Sequence, residues 1–225
     1  MKPTTYKILN GIFFIVIIGN LSGRMLEDNT LDYIFKPFLM LCIMGIFYLK
    51  GNASPFRKML FIAFGFSWLG DILLMLETQN ELFFMVGLGA FLVTQILYII
   101  VFSKRVRTPF LKKSPFMAIP FVLYGIIFYY TLFPQLDLVL KIAVFLYAIS
   151  LILMVLSALN GISKEAKKSS QLILLGAFLF LLSDSMIAIN KFLAPFPYAG
   201  LAIMSTYIAA QYLIMKGFIT KKMVL

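Results

Sequence analysis

Long apolar runs alternate along this chain with short polar gaps. A helix needs about 17 to 25 mostly apolar residues to cross a bilayer. The pattern therefore predicts eight transmembrane helices, over about 7–24, 34–49, 58–76, 83–102, 115–133, 138–159, 170–190 and 197–216. The gaps carry Gly, Pro, Asn and charge, as in KGNASPFRK, SKRVRTPFLKKSP, NGISKEAKKSS and KFLAPFP, residue types that punctuate helices. The expected architecture is an all-α membrane protein, a single eight-helix transmembrane domain over 1–225 with no soluble domain. The first run follows Lys2 and Lys7 but precedes no small-residue cleavage pattern, so it reads as a retained helix and not a signal peptide.

Two runs contain an acid. Asp71 interrupts FIAFGFSWLGDILLML and Asp184 interrupts LILLGAFLFLLSDSMIAI, each preceded by Leu and then Gly or Ser. An ionisable group at membrane depth costs a few kcal/mol on insertion scales, so such residues face a bundle interior and mark a pathway or site.

Composition strengthens the membrane reading, since 62% of residues are hydrophobic and the mean hydropathy is +0.98, against roughly 45–50% apolar in soluble domains. The net charge of +11 does not indicate nucleic acid, because Lys and Arg fall in short gaps and not along one stripe. Their sides differ instead. If alternate gaps share a side, sixteen of the twenty basic residues, with Glu165 alone opposing them, lie together. The other side holds Arg24, Lys36, Lys141 and Lys191 with Glu27, Asp28, Asp32, Glu77, Glu81 and Asp137. The positive-inside rule then places both termini in the cytoplasm, and the minimal loops suggest a bacterial cytoplasmic membrane.

In that orientation the third and seventh helices both run outward, with Asp71 and Asp184 about 8 to 9 Å inside the outer surface at ~1.5 Å per residue. Lys36 begins the second helix beside Pro37, which suits a first-turn position, and supplies a cation near that surface. FLVTQILYIIVF in the fourth helix echoes TYIAAQYLIMKGF in the eighth, aligning Gln95 with Gln211 and Phe102 with Phe218. With the two Asp segments this suggests a parallel four-plus-four duplication.

The chain has no histidine and one cysteine, Cys42. That removes Ser-His and Cys-His catalysis and His-rich zinc sites, and it precludes an intrachain disulfide. Acid-base chemistry is left to carboxylates, Lys or Tyr. Asp71 and Asp184 read as a general acid and general base, or else as structural carboxylates pairing with Lys36 or bonding between helices. Gln95 and Tyr98 share one helix face, as do Tyr207 and Gln211; they line a substrate cavity or form interhelical hydrogen bonds. Trp68 reads as packing. The remaining tyrosines and phenylalanines read as lipid-facing or interfacial. No metal or cofactor is expected.

KP at 36 and 37, FSWLGDILLML, GLGAFLVTQILYIIVF, GAFLFLLSDSMIAINKF and TYIAAQYLI together resemble the YhhN family, in order and spacing, over nearly the whole chain. The resemblance implies an eight-helix membrane protein that hydrolyses the vinyl ether bond of lysoplasmalogens to an aldehyde and a glycerophospho-base. It maps the family's acidic positions to Asp71 and Asp184, and places Gln95 where the fourth-helix motif often has a histidine. The implied partner is a lysolipid within the bilayer, and no obligate protein partner is evident; its substrate-binding candidates, read from their depth and helix faces, are Lys36, Gln95, Tyr98, Tyr207 and Gln211. The alternatives are a proton-coupled small-molecule or lipid transporter using the intramembrane aspartates, and a non-catalytic membrane scaffold.

Overall fold

The computed structural model describes residues 3–50, 56–106, 109–163 and 166–220. Lys2, Arg107, Lys164, Glu165, Lys221 and Lys222, which enter the charge-asymmetry argument, lie outside them. Among the described residues there is no strand. The helices are α1 (Pro3–Leu26), α2 (Asn29–Lys50), α3 (Arg57–Met75), α4 (Glu81–Lys104), a single turn α5 (Phe110–Lys113), α6 (Ile119–Leu132), α7 (Leu138–Asn160), α8 (Lys167–Ala188) and α9 (Ala199–Thr220). All but α5 belong to eight segments long and apolar enough to cross a membrane. In two of these, flanking turns add length: α6 lies within Pro115–Gln135, and a π-helical turn extends α8 to Leu193. The chain is an all-helical integral membrane protein.

Every predicted span is present, and the largest shift is at the start of α2, which begins five residues before the expected position 34. The cause is local capping. Glu27 adopts φ 55° and the Asp28 amide donates to the Gly23 carbonyl at 2.9 Å, the left-handed closure that ends α1. The Asp28 carboxylate then accepts from the amides of Thr30 at 2.8 Å and Leu31 at 3.4 Å, capping α2. About one and a half turns carrying Asn29, Thr30 and Asp32 are thereby added to an apolar helix. Pro37, expected in the first turn, instead lies inside α2, where it has no N–H to give. Its own carbonyl accepts the indole N–H of Trp68 at 2.9 Å.

Two compact units make up the chain, Met1–Leu97 with Phe218–Leu225, and Tyr98–Gly217. In the first, α1 and α2 run antiparallel, Gly19 facing Phe35 and Gly23 facing Leu31. A methyl on either glycine would come within 2.5 Å of the Phe35 ring or 2.8 Å of Leu31 Cβ. Small residues four apart permit this approach in membranes, where close packing replaces the hydrophobic drive between helices. The core of this unit includes Met40, Ile43, Ile46 and Phe64. In the second unit α8 meets α9 at Gly176, and Met154, Phe180 and Ile214 are buried. Large apolar side chains such as Phe14 and Tyr48 in one unit, and Ile127 and Val139 in the other, are exposed, as a lipid solvent allows.

Candidate active site

Asp71 lies four residues before the end of α3 and is 2% exposed. Its helix presents it to a polar set built by α1 and α2. Buried Lys36 feels the charges of Asp71, Arg24, Asp32 and Glu77, in that order. Arg24 Nη2 pairs with Asp32 Oδ2 at 2.6 Å, and Asn20 Nδ2 donates to Asp32 Oδ1 at 2.7 Å. Two cations, Arg24 and Lys36, are thus set against the carboxyl groups of Asp32, Asp71 and Glu77. Such compensation is what lets ionisable groups persist in an apolar interior, where an uncompensated charge is strongly destabilising. On the same unit Ser67 Oγ donates to Thr94 Oγ1 at 3.2 Å, Thr94 Oγ1 donates to the Ala63 carbonyl at 3.1 Å, and Gln95 is fully buried.

Asp184 likewise lies four residues before the end of its α-helix, α8, and is 7% exposed. Its surroundings are different. The Tyr147 hydroxyl, from α7, donates to Asp184 Oδ2. The neighbouring Ser185 hydroxyl accepts from Tyr124 of α6 at 2.7 Å and donates to the Leu181 carbonyl at 2.7 Å. Ser183 Oγ donates to the Ile203 carbonyl at 3.1 Å, so both serines flanking the acid spend their protons on helix packing. Beside them a cavity of about 40 Å³ opens between α6, α7 and α8, lined by Asp184, Ser185, Tyr124 and Tyr147 together with apolar side chains that include Phe128 and Leu151.

The structure brings Lys36 into reach of Asp71, and it joins Tyr98 to Gln211 through a fully buried 2.6 Å hydrogen bond donated by the phenol. Tyr98 stacks on Phe102 at 5.4 Å, and the Tyr207 ring meets Phe180 edge-on at 6.0 Å. A second cation, Arg24, lies inside α1 and joins Lys36, and Asp32 joins them from α2. The signal was there. Asn20 and Arg24, and Asp32 and Lys36, are pairs spaced i, i+4 that share a helix face. Tyr124 and Tyr147 also escaped the sequence reading, which grouped them with the lipid-facing aromatics. Each is the tenth residue of its predicted span, far from either interface where a tyrosine belt would sit.

The model of the YhhN family matches residues 31–218. Lysoplasmalogenase TMEM86A of Bos taurus is 33% identical over 184 residues, covering 80% of this chain and 72% of that protein. The Homo sapiens TMEM86A is 32% identical over the same shares, and Homo sapiens lysoplasmalogenase TMEM86B is 29% identical over 78% of this chain and 70% of its own length. No solved structure matches.

Proposed function

The chain belongs to the YhhN family, and from that premise we propose that it is an integral membrane lysoplasmalogenase-like hydrolase, cleaving a vinyl ether by aspartate acid-base catalysis. The observation that carries the chemistry is the placement of two buried aspartates, each about one turn before the end of its α-helix within a membrane-spanning segment, one beside a cation and the other on a cavity wall. The relatives' names supply the substrate class.

The reaction is R–CH=CH–O–R′ + H2O → R–CH2–CHO + HO–R′. A proton first goes to the vinyl carbon remote from oxygen, giving an oxocarbenium ion. Water adds to the adjacent carbon and loses a proton, and the hemiacetal collapses to aldehyde and alcohol. The slow step therefore needs a positioned acid, and the next one a base for water. We assign these two roles to Asp71 and Asp184, without saying which takes which, and an ionised carboxylate also stabilises the oxocarbenium ion. Lys36, with Arg24 beyond it, offers positive charge to the head-group phosphate. Gln95 in the first unit, and Tyr98, Tyr207 and Gln211 in the second, are assigned to substrate binding on their burial. The charge asymmetry of the gaps supports cytoplasmic termini, and the minimal loops support a bacterial inner membrane.

The test is hydrolysis of a lysoplasmalogen by purified protein in D2O, with the aldehyde reduced at once and weighed by mass spectrometry. One deuterium should appear on the carbon next to the former carbonyl. Asp71→Asn and Asp184→Asn should each lower the rate by about 10²- to 10⁴-fold while leaving the protein folded. Retained turnover in both variants would rule the mechanism out, and lipid flux across liposomes without any product would instead identify a transporter.

A further inference from the structure

We propose that the cavity between α6, α7 and α8 is the seat for the alkenyl end of a single-chain ether lipid, with Ala148 and Ile152 setting how much hydrocarbon fits beside Asp184. This rests on the hydrolase reading and gives the Asp184 cavity a specific occupant.

Size comes first. At roughly 15 Å³ for a water-sized body, a cavity of about 40 Å³ admits on the order of three heavy atoms, the count of a C=C–O unit. The wall then selects among small groups. Its four hydroxyls all direct their protons elsewhere: Tyr147 to Asp184, Tyr124 to Ser185, Ser185 to the Leu181 carbonyl, and Tyr129 to the Lys141 carbonyl at 3.2 Å. An ester carbonyl on its way to an oxyanion needs donors, whereas an alkenyl ether does not, and the water that later adds to its cation can donate to the Asp184 carboxylate. The ether asks for apolar walls, and for negative charge and aromatic faces once the oxocarbenium forms, and this wall holds a carboxyl group with the rings of Tyr124 and Phe128.

Access is consistent with a chain that arrives from the bilayer. The cavity is bounded by three membrane-spanning helices, and α6 turns Leu123, Ile126 and Ile127 outward, half or more exposed. Its floor is fixed where α6 meets α7. A methyl on Gly125 would stand 2.8 Å from Ile152 Cγ1, so the two helices are already closed there and the free space lies toward Ala148 and Asp184.

The experiment uses the full chain in detergent and two probes, a lysoplasmalogen for turnover and the saturated alkyl lysolipid, which resists cleavage, as a competitive inhibitor. Ala148→Leu should raise the alkyl probe's inhibition constant and the KM by at least about tenfold, since each methylene of fit in an apolar pocket is worth about 10- to 200-fold. The melting temperature should not fall, because a void has been filled. Adding Ile152→Ala should restore binding. If Ala148→Leu fails to fold, Ile152→Ala alone decides: it should gain about tenfold for an alkyl probe methyl-branched next to the ether carbon, relative to the straight one. Unchanged inhibition constants in a folded Ala148→Leu protein, or an unchanged branch preference in Ile152→Ala, would overturn the seat. Wild-type protein that binds the alkyl probe in this way yet releases no aldehyde would overturn the hydrolase reading and leave the seat standing.

Discussion

Tyr147→Phe removes one oxygen and leaves the ring, so the cavity wall keeps its shape while Asp184 loses the hydrogen bond donated to Oδ2. The size of the effect reports the state of the acid. A hydrogen bond to a charged group contributes about 1.5–3 kcal/mol, and one between neutral groups about 0.5–1.5 kcal/mol. At about 1.36 kcal/mol per decade of rate, the charged case predicts a fall of about 10- to 150-fold and the neutral case about 2- to 13-fold. The larger fall would assign Asp184 the base's role and the smaller one the acid's; in either case it should be carried by kcat with KM unchanged, because Tyr147 is a positioning residue that holds the carboxyl and not the lipid. The assay is aldehyde release at saturating and sub-saturating lysoplasmalogen, with a thermal melt of each variant. Tyr124→Phe is the control, since its phenol bonds Ser185 and not the acid; its kcat should fall by less than about tenfold. Wild-type kcat in Tyr147→Phe would refute the reasoning, as would a raised KM at constant kcat.

Three other outcomes follow from packing and charge. Lys36→Met should destabilise the fold by about 3–5 kcal/mol, as expected when one member of a buried charged set is removed, and combining it with Asp71→Asn should recover part of the loss; additive losses by equilibrium unfolding would count against their pairing. Tyr98→Phe breaks the buried 2.6 Å bond to Gln211 and should cost about 0.6–2 kcal/mol in the membrane-embedded state; KM should rise with it, and a wild-type KM would assign the pair to helix packing alone. Gly176→Ala places a methyl 2.8 Å from the Ala210 carbonyl oxygen, a backbone atom with little room to yield, so a loss of about 1–3 kcal/mol should appear as a lower melting temperature, and an unchanged one would show that α8 and α9 separate freely.

The spans were legible because a bilayer imposes length and apolarity on every crossing helix, and the two aspartates because nothing apolar predicts them. The start of α2 was not, since Asn29, Thr30 and Asp32 look like a loop until Asp28 caps them and Arg24 offsets the charge of Asp32. Hydropathy scores each residue alone, whereas burial of charge is a property of sets. The same limit hid Tyr147, whose phenol has one meaning in a lipid-facing belt and another when α7 turns it toward Asp184.

The two acids are therefore held by different physics, with consequences for how each tolerates change. Asp71 belongs to a set whose members compensate one another, so its neutralisation to Asn leaves Lys36 and Arg24 with less opposing charge and should register in stability as well as in rate. Asp184 is held by a phenol at the edge of an apolar space, where Asn keeps the shape and can still accept the Tyr147 proton. Its substitution should register almost wholly in rate. Two chemically identical replacements at equivalent helix positions are expected to part ways in the melting experiment, because one removes a member of a charge balance and the other only the chemistry of the acid.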